Sequence, residues 1–190
     1  MARQTFTAGQ VLTAAQLSTL QNNSGLQLIT AQTAFSAVNS VSVSNCFTTT
    51  FDKYMVVIRW QNSSTGELAV QLQVGGVAAA TNYNYQLLEI NNTTVATTRS
   101  TAQNNIRAGF STNGAFPSLA VVTFDGPALA EQTNYWIETA ITQTGATTVV
   151  ANRTSGNHTT ATAYDGFLFF TSGGQTITGD YTIYGYGKTA

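Results

Sequence analysis

The sequence predicts an all-β chain, an antiparallel β-sandwich, jelly roll or barrel, with a short N-terminal helical leader. Three observations carry this. Apolar and polar residues alternate over several stretches, the pattern of strands with one buried face. Turn residues recur about every 8 to 12 residues, the spacing of sandwiches and barrels. Beyond residue 25 the pattern stays strand and turn, so strands do not alternate with helices and a parallel α/β fold does not fit.

Residues 5–21, TFTAGQVLTAAQLSTLQ, form the helical segment. Thr13 is placed as its N-cap, good helix formers follow, and Leu17 and Leu20 make a small apolar stripe with Val11 and Leu12 just upstream. A piece this short is not stable alone and must dock on something. Asn22-Asn23-Ser24-Gly25 reads as a linker, dividing the chain into a leader, 1–25, and a β domain, 26–190.

In the β domain, Leu26 and Leu28 lead towards Val41 and Val43. Tyr54, Val56, Ile58 and Trp60 then share one face, with Lys53, Met55, Val57 and Arg59 on the other. Leu68, Val70, Leu72 and Val74 are expected inside, with Glu67, Ala69, Gln71 and Gln73 outside. Residues 62–66 join these two stretches as a hairpin loop. Strands follow from Tyr83, Ile106, Leu119, Tyr135 and Thr147, while the polar stretches 91–105 and 153–162 read as surface loops. Roughly eight to ten strands result.

The chain closes on YDGFLFFTSGGQTITGDYTIYGYG, residues 164–187, read as a hairpin around Ser172-Gly173-Gly174. Its returning strand places Ile177, Tyr181 and Ile183 on one face and Tyr184 and Tyr186 on the other. Large rings on both faces suit a strand in the middle of a sheet or at a subunit interface. Tyr184 and Tyr186 are therefore the expected trimer interface.

Composition narrows the function. The chain of 190 residues is 43% hydrophobic but only 8% charged, with a net charge of −1 and no basic run. A nucleic-acid partner needs several Lys or Arg to neutralise phosphates, so none is expected, and no membrane insertion is expected either. The N-terminal MARQTFTAGQ has no signal-peptide pattern. The single cysteine, Cys46, reads as a small buried hydrophobe beside Phe47.

Hydrolytic chemistry needs paired carboxylates, a base beside a nucleophile, or metal ligands. The acids here are scattered singly, and the lone histidine, His158, reads as an exposed loop residue. Asp125-Gly126 and Asp165-Gly166 read as turns. The expectation is a non-enzymatic chain with no cofactor and no metal. Trp60, Tyr83, Tyr85, Tyr135 and Trp136 are candidates for a sugar-binding face, with core or interface packing the simpler account. Asn84, Asn104, Asn105, Arg107 and Arg153 are candidates to read a polar ligand, and the host-contact set is Asn104, Asn105, Arg153 and His158.

Two segments carry a resemblance. The phrase F-x-x-G-x-V-L-T-A-A-x-L, from Phe6 to Leu17, resembles the leader that precedes a β domain in small virion proteins of tailed bacteriophages. The closing segment, with its DGF start and YGY end, resembles the C-terminal strand pair of the same group. These proteins are similar to jelly-roll trimers on the phage surface. The resemblance implies a virion location after synthesis in the host cytoplasm, a homotrimer, and attachment to other virion proteins through Phe6, Val11, Leu12, Leu17 and Leu20. It implies a tail fibre or minor tail protein meeting a host surface glycan or receptor, with a capsid decoration, cement or head-fibre protein and a carbohydrate-binding or carbohydrate-cleaving module as the alternatives.

Overall fold

The computed structural model describes residue 9 and residues 11–17, 25–111, 116–142 and 149–187. Among these, the alternating stretches become β1 (Leu26–Val38), β2 (Ser40–Val43), β3 (Phe51–Asn62), β4 (Gly66–Val74), β5 (Val77–Ala78), β6 (Tyr83–Asn91) and β7 (Thr94–Gln103). They continue as β8 (Ile106–Ser111), β9 (Ser118–Asp125), β10 (Thr133–Thr142), β11 (Val149–His158), β12 (Gly166–Ser172) and β13 (Ile177–Gly187). One helical turn, Ala14–Leu17, lies upstream.

The strands form two antiparallel sheets. The large sheet runs β1-β13-β3-β9-β10-β11-β6-β7; the small one runs β2-β12-β4-β5, with β8 also paired to β4. Along the chain β1, β3, β9 and β13 enter the large sheet, alternating with β2, β4, β8 and β12 in the small one. That winding is the jelly roll. Two insertions, β5 to β7 and β10 to β11, meet through the β11–β6 pairing and widen the large sheet.

Two expected hairpins are corrected here. β3 and β4 lie in different sheets, and so do β12 and β13, so each connection arches across the sandwich. Gly173 and Gly174, at φ of 110° and 79°, do reverse the chain. However, a reversal of this kind serves an arch as well as a hairpin. β13 sits between β1 and β3, paired on both edges.

The core lies between the sheets. From the large sheet come Tyr54, Val56, Ile58, Trp60, Phe124 and Ile183, and from the small one Leu68, Val70, Leu72, Phe167 and Phe169, all buried. Cys46 is buried as expected, and desolvation pushes its thiol up to about 12.

β4 departs from its predicted pattern. Val74 is exposed, whereas Ala69, Gln71 and Gln73, expected outside, are buried. Gln71 Nε2 donates to the Asn104 carbonyl at 2.7 Å, and Gln73 bridges Ser42 and Ser44 at 2.9 and 3.0 Å. Neighbouring segments thus cover the outer side of β4 and satisfy the amides they bury.

The two polar loops are also corrected. Residues 91–105 contain all of β7, paired with β6 around a tight turn in which Asn92 takes a φ of 56°. Residues 153–162 begin inside β11, which pairs in register with β10 from Thr133↔His158 to Thr142↔Val149. β7 is an edge strand exposed on both faces, and β11 buries Asn152, Thr154 and His158 alongside Val150, so neither shows apolar alternation.

Candidate functional site

The leader contributes one short, well-defined piece. Gln16 N–H donates to Thr13 Oγ1 at 3.2 Å, and Thr13 N–H donates to Gln16 Oε1 at 3.0 Å. This reciprocal pair is a capping box, so Thr13 is the N-cap as predicted. Val11 is 87% exposed, and Leu12 and Leu17 are exposed as well. Phe6 and Leu20 lie outside the described residues.

His158 is the clearest correction among the predicted site residues. It ends β11 and is 1% exposed, wedged against the Tyr83 ring at 4.4 Å and the Tyr164 ring at 5.3 Å. Nε2 lies 2.9 Å from the Thr81 carbonyl, which only accepts, so Nε2 carries the proton. Nδ1 then accepts from the Tyr164 hydroxyl at 3.0 Å. The histidine is a neutral clasp between the segment before β6 and the segment before β12.

A pH dependence follows. Burial holds the His158 pKa below its ordinary value, against the opposing pull of the Thr81 and Thr160 backbone. The unfolded chain therefore takes up the proton first as pH falls. The stability this gives is complete above about pH 6.5 and is lost as pH drops towards the depressed folded value. The thermal midpoint of the wild type is expected to fall between pH 7 and pH 5 more steeply than that of His158→Gln. Parallel curves in differential scanning fluorimetry would overturn this.

The other predicted residues divide between core and surface. Trp60, Tyr83 and Tyr135 are core, while Trp136 is 46% exposed on the outward face of β10. Arg107 pairs with Glu67 at 3.0 Å on the small sheet, and desolvation raises the Glu67 carboxyl. Asn104 and Asn105 sit in the bend between β7 and β8, with Asn105 Nδ2 donating to Asn104 Oδ1 at 2.7 Å. Arg153 leaves its predicted loop for β11, where it reaches Glu138 at 3.7 Å and lies over the Trp136 ring at 5.2 Å.

Of these residues, Trp136 and Arg153 stand on the outward face of the large sheet. Strand register puts Leu28, Tyr184, Met55, Thr123, Trp136 and Ser155 in one row across it. Leu28 is 59% and Tyr186 39% exposed. Leu88, Ile90, Val95, Leu119 and Val149 add further exposed apolar positions on the same sheet. Cross-strand ion pairs are interspersed, Lys53–Asp125 at 3.9 Å and Arg59–Asp180 at 3.7 Å. Among the described residues, no group of three His, Cys, Asp or Glu side chains is placed to hold a metal ion. Compared with known proteins, the chain matches no protein-family model and no curated protein.

Proposed function

We propose that this chain is a non-enzymatic structural protein of a tailed-bacteriophage virion, a homotrimeric jelly roll on the tail, as a fibre or minor tail protein, that meets the host surface. The observation that carries the reading is the β1–β13 end of the outward face, where Leu28, Tyr184 and Tyr186 sit beside Met55 with water on their outer side. Three copies meeting there would bury these rings, with a gain of about 25 cal/mol for each Å² of apolar surface removed from water. The leader supports the virion part of the reading, since its capped turn offers Val11, Leu12 and Leu17 to a neighbouring subunit.

Light scattering on the full chain is expected to return three times the 20.1 kDa chain mass, and Tyr184→Ser with Tyr186→Ser to return one, with an unchanged circular dichroism spectrum. Gold-labelled antibodies against the chain are expected on the tails of phage particles. A wild-type monomer would overturn the trimer. Labelled heads would move the protein to the capsid, and particles without label would overturn the virion assignment.

A further inference from the structure

We infer that the outward face of the large sheet carries an extended groove for a neutral oligosaccharide, crossing the strands from β3 to β7. The inference names the ligand class and residues of the host contact proposed above, and rests on that reading only for where the ligand comes from.

Two hollows make the groove. The first, about 530 Å³, has Trp136 as its aromatic wall, with the Lys53–Asp125 pair, Asn134 and Ser155 beside it, and it ends at Tyr186, which the trimer contact would cover. The second, about 310 Å³, is lined by Asn84, Gln86, Arg99, Thr101 and Asn157, and again by Ser155. Ser155 lines both, so the two hollows adjoin at that residue.

Strand register explains why the hollows adjoin. Trp136 lies opposite Ser155, Ser155 opposite Gln86, and Gln86 opposite Arg99. One row away, Asn134 lies opposite Asn157 and Asn157 opposite Asn84. From β3 to β7 the sheet makes five interstrand steps. At about 4.8 Å each these span about 24 Å, room for a chain of several sugar rings.

The chemistry of the lining selects the ligand. An indole exposed on a flat sheet offers its π-face to the C–H side of a sugar ring. Asn84 Nδ2 donates to Asn157 Oδ1 at 2.9 Å and Asn84 Oδ1 accepts from Ala102 N–H at 3.0 Å, which fixes these two amides. The Asn134 and Asn157 amide N–H groups face sugar hydroxyls as donors, and the Gln86 amide as donor and acceptor. Lys53 and Asp125 offset each other, and Arg99 in the second hollow adds one positive charge whose N–H donors suit hydroxyl oxygens. Outside the groove, Arg153 steadies the indole at 5.2 Å while held by Glu138 at 3.7 Å. Every one of these groups stands on a strand, so little ordering is needed on binding.

The test uses the full chain, titrated with cellohexaose, maltohexaose, chitohexaose and the corresponding disaccharides, followed by calorimetry and tryptophan fluorescence. At least one hexasaccharide is expected to bind and shift the emission, with little effect of salt. Trp136→Ala should weaken that binding by about tenfold or more. Ser155→Trp, which fills the saddle between the hollows at an exposed position, should leave the hexasaccharide bound no better than its disaccharide. Failure of every sugar to bind, wild-type affinity in Trp136→Ala, or salt-sensitive binding of poly(dT) in place of sugar would each overturn the groove. Trp136→Ala is expected to keep the wild-type mass in light scattering, so loss of sugar binding and loss of the trimer are read separately.

Discussion

Replacing Phe47 by alanine is expected to cost about 3–5 kcal/mol of stability, the range for removing a buried aromatic ring without collapse of the space it leaves. Phe47 lies between β2 and β3, outside any strand, yet its ring is buried. It meets Tyr54 of β3 at 4.7 Å, Phe124 of β9 at 5.3 Å and Phe167 of β12 at 5.8 Å. Two of those strands belong to the large sheet and one to the small, so this ring ties the sheets together at one end of the sandwich. Its backbone is held as well: Phe47 N–H donates to the Asp165 carbonyl at 3.0 Å, and the Tyr54 hydroxyl donates to the Thr48 carbonyl at 2.6 Å. The segment cannot easily close over a missing ring. Urea unfolding should show the loss in the midpoint with an unchanged slope, and the thermal midpoint should fall by about 10 °C. A Phe47→Ala protein within about 1 kcal/mol of wild type would remove Phe47 from this role.

Gly179→Ala is expected to cost about 3 kcal/mol or to prevent folding. Gly179 lies in β13 opposite Trp60 of β3 and Phe35 of β1. A methyl group at this position would stand 1.9 Å from the Arg59 carbonyl oxygen. The obstacle is backbone in a strand paired on both sides, with Trp60 fully buried beneath it, so relief requires shifting β3 or β13 against the core. The control is Thr182→Ser, outward on the same strand, expected to change stability by no more than about 0.5 kcal/mol. Equal unfolding midpoints for the two variants would mean that β13 has slack here.

The Asp-Gly pairs show how one dipeptide serves two purposes. Gly126 takes a φ of 73°, a turn conformation as expected. Gly166 instead opens β12, and an added Cβ there would meet the Val43 carbonyl oxygen at 2.0 Å. Asp165 also departs from a plain turn residue, because its Oδ2 accepts from Gly75 N–H at 2.7 Å and so secures the turn after β4. The dipeptide signals that a side chain is unwelcome, and only the surroundings reveal whether torsion or a neighbouring strand is the reason.

Period-two alternation by itself determined that the chain is all-β, which residues of β3 and β13 face the core, and that Tyr184, Tyr186 and Trp136 point outward, because side chains on a strand alternate faces wherever the strand lies. Residue type and the helix formers that follow it marked Thr13 as the helix cap, an interaction confined to one turn. Tertiary structure alone decided which strands pair. The same glycine-rich reversals serve hairpins and arches, so the local sequence does not say whether the next strand joins its neighbour or crosses to the other sheet. It alone decided that β7 is a strand and that β11 runs on from its predicted start to His158, since an edge strand open to water and a strand with a polar buried face have no apolar rhythm to read. His158 became a buried clasp because Tyr83 and Tyr164 arrive from distant parts of the chain. The groove arises in the same way: Trp136, Ser155, Gln86 and Arg99 are separated in sequence and become neighbours through the pairing of β10, β11, β6 and β7. Such pairing is set by long-range burial, which no short window of sequence contains.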